Sequence, residues 1–157
     1  MTELKKIRTD RGLTQKEAAR LIGISLRSYI TYENEEELTG TPKYRFLLAE
    51  MKEKTLVDEE HGILSVDEIK HTCNEVLGAY SVHYCYLFGS YAKGKASEDS
   101  DVDLLISSDV TGLRFYELAE KLRGALNKKI DLLDMKQLVD NEKLLNEVLK
   151  DGIKIYG

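Results

Sequence analysis

The sequence predicts two structural classes in one chain: an N-terminal all-α helix-turn-helix bundle, then a C-terminal α/β (α+β) domain on a small mixed sheet. Three observations predict it. The first third carries short apolar-periodic segments with side-chain caps at their starts and glycines at their ends. From residue 65 onward, strand-like apolar runs alternate with helical spacing. Between them lies a charged stretch of weak periodicity, "KEKTLVDEEHGIL", residues 52–64. The expected organisation is a helix-turn-helix domain over 1–55, a linker over 56–64 and the α/β domain over 65–157.

Leu4, Ile7 and Arg8 begin the first helix, which stops at "DRG" with Gly12 as its C-terminal cap. Thr14 followed by Glu17 is a capping box, so a second helix starts there, carries Ala18, Ala19, Leu21 and Ile22, and ends at Gly23. Ser25 caps a third helix, "LRSYITYEN", whose Tyr29 and Tyr32 are expected to pack in the core. Thr41-Pro42 opens a fourth, because proline suits the first helical turn. Helix, glycine turn, helix in this compass is the helix-turn-helix pattern.

In the second half, Ser65 and Glu68 form another capping box, followed by Val66, Ile69, Cys73, Val76, Leu77 and Tyr80 at helical spacing. "HYCYLF", "VDLLIS" and "KKIDLLD" read as strands, with a helix over 113–126 between the last two. "EKLLNEVLKD" reads as a last helix before a short strand, "IKIYG".

The net charge of −5 hides an asymmetry. Residues 1–34 hold seven Lys/Arg against four Asp/Glu, whereas the remaining chain holds sixteen against twenty-four. A basic head on an acidic body suggests two partners of different charge. No run reaches the roughly 18 apolar residues of a membrane span, and "MTELKKIRTD" lacks a signal-peptide core, so a cytoplasmic protein with no membrane partner is expected. Cys73 and Cys85 fit no metal-ligand spacing and are expected to be reduced, buried thiols. His61, His71 and His83 do not cluster, and no Ser-His-Asp or Cys-His arrangement is identifiable.

Chemistry concentrates in "LFGSYAKGKASEDSDVDLLIS", residues 87–107. Gly89 and Ser90 follow a strand directly, where a glycine backbone and a hydroxyl can donate to phosphate oxygens. Lys93 and Lys95 add positive charge. Asp101 and Asp103 stand two residues apart where the next strand begins, which puts both carboxylates on one face. Like charges so placed call for a cation, and hard oxygen donors suit Mg²⁺. Asp131 joins that face if its strand pairs alongside. Phosphate donors at one end and three carboxylates at the other describe a metal–nucleoside triphosphate site. Tyr91, in the same loop, is weighed as a base-stacking residue and more readily as a packing one.

Two resemblances sharpen this. About residues 2–55 resemble the repressor/Cro-like helix-turn-helix family, through "LTQKEAA", the turn "IGIS" and Tyr32-Glu33-Asn34. That resemblance implies a third helix in the major groove of operator DNA, contacts from Gln15, Ser25, Arg27, Ser28 and Thr31, and a possible homodimer through this domain. About residues 66–157 resemble the minimal nucleotidyltransferases of the DNA polymerase β-like superfamily. Their signature of Gly-Ser, ten residues and Asp-x-Asp is here Gly89-Ser90, residues 91–100 and Asp101-Val102-Asp103, and their third acid maps to Asp131. The resemblance implies ATP as substrate, two Mg²⁺ held by Asp101, Asp103 and Asp131, and nucleotide binding by Gly89, Ser90 and Lys93. Loop arginines common in that family are here Tyr91 and Lys93, so a planar phosphate fork is missing. It further implies an antitoxin that adenylylates a tyrosine of a partner HEPN-domain ribonuclease toxin, with the fused domain repressing the shared operon. Alternatives are a nucleotide-sensing DNA-binding regulator with an inactive transferase site, or an adenylyltransferase of a small molecule such as an antibiotic.

Overall fold

A computed structural model describes residues 1–157, which divide into two compact units, Met1–Leu56 and Val57–Gly157. The first unit is helical: α1 (Glu3–Asp10), α2 (Gln15–Ile22), α3 (Leu26–Asn34), a 3₁₀ turn (Glu36–Gly40) and α4 (Pro42–Lys54). Each α-helix start is capped by the side chain of a threonine or serine: Thr2, Thr14, Ser25 and Thr41 accept from the third or so backbone N–H beyond them. Thr14 and Glu17 close the reciprocal box. Gly23 ends α2 in the left-handed conformation at φ 73°, which glycine adopts without steric cost and which turns the chain into α3. Leu4, Ala18, Tyr29, Leu47 and Met51 are fully buried at the centre of this unit. At about 1.5–3 kcal/mol for each large side chain, that burial and not helix propensity holds such short helices.

The charged stretch after α4 differs from its linker-like appearance. Residues 52–54 still belong to α4, whose last turn places Lys52 and Lys54 at the carbonyl end of the helix dipole. Val57 and Leu64 are buried in the core of the second unit. Short apolar pairs, Leu56-Val57 and Ile63-Leu64, set on either side of a charged run carry no periodic signature, so the sequence shows only the charges.

The second unit orders as α5 (Val66–Leu77), β1 (Val82–Phe88), α6 (Gly89–Ala92), β2 (Val102–Ser108), α7 (Leu113–Leu126), β3 (Ile130–Asp134), a 3₁₀ turn (Met135–Leu138), α8 (Glu142–Asp151) and β4 (Ile153–Tyr156). The sheet order is β3-β2-β1-β4. β1 runs antiparallel to both β2 and β4, and β2 runs parallel to β3, so the sheet is mixed, as the sequence predicts. Alternation along the strands serves two cores. Leu87, Leu104 and Ile106 pack with Ile69, Cys73 and Leu77 of α5 and with Leu118 and Leu122 of α7. On the opposite face Phe88 and Leu105 pack with Leu138 and with Val148 of α8. Asp103 and Asp131 share that second face by the period of two, so the site lies on the side of the sheet that α8 covers. No helix is long and apolar enough to cross a membrane.

Candidate nucleotide and DNA sites

The parallel pairing of β2 and β3 sets Asp103 directly beside Asp131, each the second residue of its strand. Asp101 precedes β2 by one residue and is exposed, as is Asp131, whereas Asp103 is half-buried. On the other side of β2, Asp103 pairs in register with Phe88, the last residue of β1. The chain turns there through Gly89, at φ 70°, into the four-residue helix α6. A Cβ on residue 89 would overlap Asp103 Oδ2 and stand 2.9 Å from its Cγ. Glycine is required twice over: for the left-handed backbone, and for the room it leaves to a carboxylate.

Electrostatically this corner is crowded with anions. Burial, followed by the charges of Asp131, Asp101 and Glu147, pushes the Asp103 carboxyl up to about 6, against the opposing pull of Lys93. Lys93 caps the end of α6 and forms a 2.8 Å ion pair with Glu147 of α8. That contact, seconded by the charges of Asp151 and Asp103, raises the lysine above its ordinary value despite some loss of hydration.

The acids do not form a closed cage: no three His, Cys, Asp or Glu side chains converge tightly enough to hold a metal ion alone. The donor set is nevertheless all oxygen, with its most buried member disfavoured as an anion. Such a set fits a Mg²⁺ shared with phosphate oxygens, which takes one or two carboxylates from the protein, and does not fit an all-protein site.

Tyr91 is buried, and its hydroxyl accepts a long hydrogen bond of 3.5 Å from the Leu64 amide. It packs in the core and is not placed to stack on a base. Ser90 is half-exposed, and its carbonyl accepts from the Lys95 amide at 2.9 Å. Sequence reasoning missed Glu147, which carries no motif, and Lys128. The Lys128 side chain is wholly buried, with its ammonium donating to the carbonyls of Glu98 and, at 3.2 Å, His61. Glu98 lies in the loop that delivers Asp101. His61, His71 and His83 stand beside Asp58, Glu75 and Asp109 on the surface, and Cys73 and Cys85 are free and buried. Burial pushes the Cys73 thiol up to about 12, which makes it a poor nucleophile.

In the first unit, α3 turns Tyr29 and Glu33 inward, while Arg27, Thr31 and Asn34 follow one another along the opposite stripe at helical spacing. Arg27 is exposed. Ser25 accepts from the Ser28 amide at 3.1 Å, and the Thr31 hydroxyl donates to the Arg27 carbonyl at 3.0 Å. Gln15 donates its amide to Glu33 at 3.1 Å, so part of its bonding capacity is spent internally. Glu33 is buried and takes a forked pair of bonds from Arg8, at 2.7 and 2.9 Å. Of the five residues expected to contact DNA, Arg27 has the most available head group.

A mixed four-stranded sheet with a Gly-Ser turn after one strand and an Asp-x-Asp at the next, preceded by a helix-turn-helix unit, defines a nucleotidyltransferase-type chain with a DNA-binding-type head. Residues 68–157 match the family Polymerase beta, Nucleotidyltransferase, and residues 4–42 match Helix-turn-helix. The chain belongs to the polymerase beta nucleotidyltransferase family. It is 34% identical over 74 residues to the protein adenylyltransferase MntA of Shewanella oneidensis, an alignment covering 46% of this chain and 52% of the relative. It is 35% identical over 78 residues to the protein adenylyltransferase MntA of Thermococcus cleftensis, covering 46% and 79%. The chain thus spans about half the length of the Shewanella relative. A crystal structure of a toxin-antitoxin with AMP-PNP matches at TM-score 0.50 and 27% identity, covering 56% of this chain and 73% of that one.

Proposed function

We propose that the chain is a Mg²⁺-dependent nucleotidyltransferase that moves AMP from ATP onto a tyrosine of a partner HEPN-domain ribonuclease, silencing it as an antitoxin. The observation that carries this reading is the row Gly89–Asp103–Asp131: a phosphate-type turn folded against one carboxylate that stands in register beside another. The protein adenylyltransferase relatives and the toxin-antitoxin likeness favour a protein acceptor over a small molecule.

In this mechanism Gly89, Ser90 and Lys93 hold the polyphosphate tail, which sets the α-phosphate over Asp101 and Asp103. A bound divalent cation supplies neutralising charge to the phosphates and to the entering oxygen. Asp131 accepts the phenol proton as the tyrosine oxygen attacks the α-phosphorus. The bond from that phosphorus to the bridging oxygen of the β-phosphate breaks, and pyrophosphate leaves. Asp101 and Asp103 would hold the cation from the protein side, and Asp131 faces the attacking group.

The N-terminal unit binds the operator of the shared operon, as a dimer, through α3. Arg27→Ala should weaken that binding by roughly 1–3 kcal/mol if its fork reads a base. A gel-shift with the upstream promoter lacking any salt-dependent complex would rule this role out. For the transferase, the test is mass spectrometry of the co-expressed partner. Wild type should add AMP masses, and the double variant Asp101→Ala, Asp103→Ala should add none. Modification that survives in the double variant would show that the site is elsewhere.

A further inference from the structure

The Lys93–Glu147 ion pair is out of place for a phosphate site. A lysine beside the phosphate turn is useful to a triphosphate only when its charge is free, yet here it is matched by a glutamate 54 residues away in sequence, on α8, at 2.8 Å. The contact is not a buried strut. Both side chains are about one-third exposed, 35% and 34%, so water and ligands reach it. α8 is held in place by Val148 and Leu144 against Phe88 and Leu105, on the face that presents Asp103 and Asp131. Glu147 therefore adds a further anion to a corner that already holds three carboxylates, and its charge acts on Asp103 as well as on Lys93.

We propose that Glu147 is a specificity-determining residue that makes the site select the cation-complexed nucleotide over the free one. This rests on the nucleotide-site reading above. Free ATP meets a lysine whose charge is already matched and four surrounding carboxylates, so it must displace Glu147 while bringing no counter-charge. The Mg²⁺ complex carries part of its own neutralisation. Lys93 then exchanges its carboxylate partner for a phosphate oxygen, and the released Glu147 faces a less negative ligand. Both forms break the ion pair, which at an exposed site is weak enough for a substrate to reverse, so the preference comes from the charge of Glu147 facing the phosphates.

The test is titration calorimetry of the full chain with ATP, in Mg²⁺ and in chelator. Wild type should bind clearly in Mg²⁺ and weakly in chelator. Glu147→Gln, which keeps the side chain's shape, should tighten binding of metal-free ATP roughly fivefold and change binding of the Mg²⁺ complex much less. The gain for metal-free ATP should persist in a Lys93→Met background, because it comes from the charge of Glu147 and not from freeing the lysine. Glu147→Ala should act in the same direction. If Glu147→Gln weakens both forms, the glutamate orients Lys93 and the selection is refuted. Equal affinities for wild type and variant refute it as well, with the nucleotide site intact. A wild type that binds no ATP in either condition removes the nucleotide site and the selection with it.

Discussion

The space that a side chain on residue 89 would fill is taken by the carboxylate of Asp103. The turn after β1 and the second residue of β2 are thereby fitted to each other: the glycine lacks a Cβ where the acid needs room. The turn proposed to hold phosphate and the acid proposed to hold the cation are one packed unit.

Gly89→Ala should therefore cost more than the loss of a flexible residue. Residue 89 sits at φ 70°, where alanine is strained by about 1 kcal/mol or more, and the added methyl must also displace Asp103. Thermal unfolding should show a modest loss of stability, whereas AMP transfer should fall to background because the carboxylate has moved. A variant with full transfer would mean that the Gly89–Asp103 contact is dispensable.

Asp103→Asn should separate stability from function. Burial and the neighbouring acids raise the Asp103 carboxyl from 3.8 to about 6, so at pH 7 its ionised form strains the fold. Removing that charge should stabilise the metal-free chain by about 1–2 kcal/mol, after discounting for partial exposure, while weakening Mg²⁺ binding and abolishing transfer. The sign follows from linkage. Between 6 and 3.8 the folded wild type takes up a proton that the unfolded chain does not, so its stability rises relative to the variant as the pH falls. The gap between the two in chelator should be widest above pH 6 and should close near pH 4. A gap that is constant with pH would mean that the charge of Asp103 is not what differs.

The elements of this fold were legible wherever one local rule acted. The boxes at Thr14–Glu17 and Ser65–Glu68 mark helix starts, and both close in the structure. The spacing from Gly89 to Asp103 identifies the turn and the acids together. What stayed hidden was set by contacts far apart in sequence. Nothing in "EKLLNEVLKD" indicates that Glu147 reaches Lys93, because helix phase only becomes meaningful once α8 is seated on Phe88 and Leu105. Tyr91, read more readily as a packing residue than as one that stacks on a base, is buried, and its hydroxyl accepts from the Leu64 amide. α6 is a single turn of four residues, too short for any periodicity.

Glu33→Ala should destabilise the N-terminal unit by about 3 kcal/mol, since it leaves the Arg8 fork without its partner in a largely buried position. Glu33 also sets a pH dependence. Burial opposes its ionisation, but hydrogen bonds from Arg8 and Gln15 and the charge of Arg8 outweigh burial and hold the carboxyl below its ordinary 4.5. A depressed acid contributes stability that is present above the unfolded value and lost as the pH falls through the folded one. Unfolding of this unit, followed by amide exchange at Leu4 and Tyr29, should accelerate in wild type below about pH 4.5 and depend less on pH in Glu33→Ala. Parallel curves would assign the acid sensitivity elsewhere.

Lys128 should prove to be a positioning residue for the loop that carries Asp101. It is wholly buried, and its ammonium joins the carbonyls of Glu98 and His61, tying two loops to the start of β3. A buried cation is tolerated only when it is well bonded, so Lys128→Met, which keeps most of the volume, strands carbonyls and should cost about 2–3 kcal/mol. Stability alone would not distinguish a strut from a positioner. Three residues beyond Glu98 the chain delivers Asp101, so a slack loop should weaken Mg²⁺ binding while leaving DNA binding by the N-terminal unit unchanged. Lys128→Arg should recover part of the metal affinity if the cation and its hydrogen bonds are what matter. The measurement is Mg²⁺ titration at a temperature where each variant is folded. Unchanged metal affinity in Lys128→Met would reduce Lys128 to a stabilising contact with no bearing on the site.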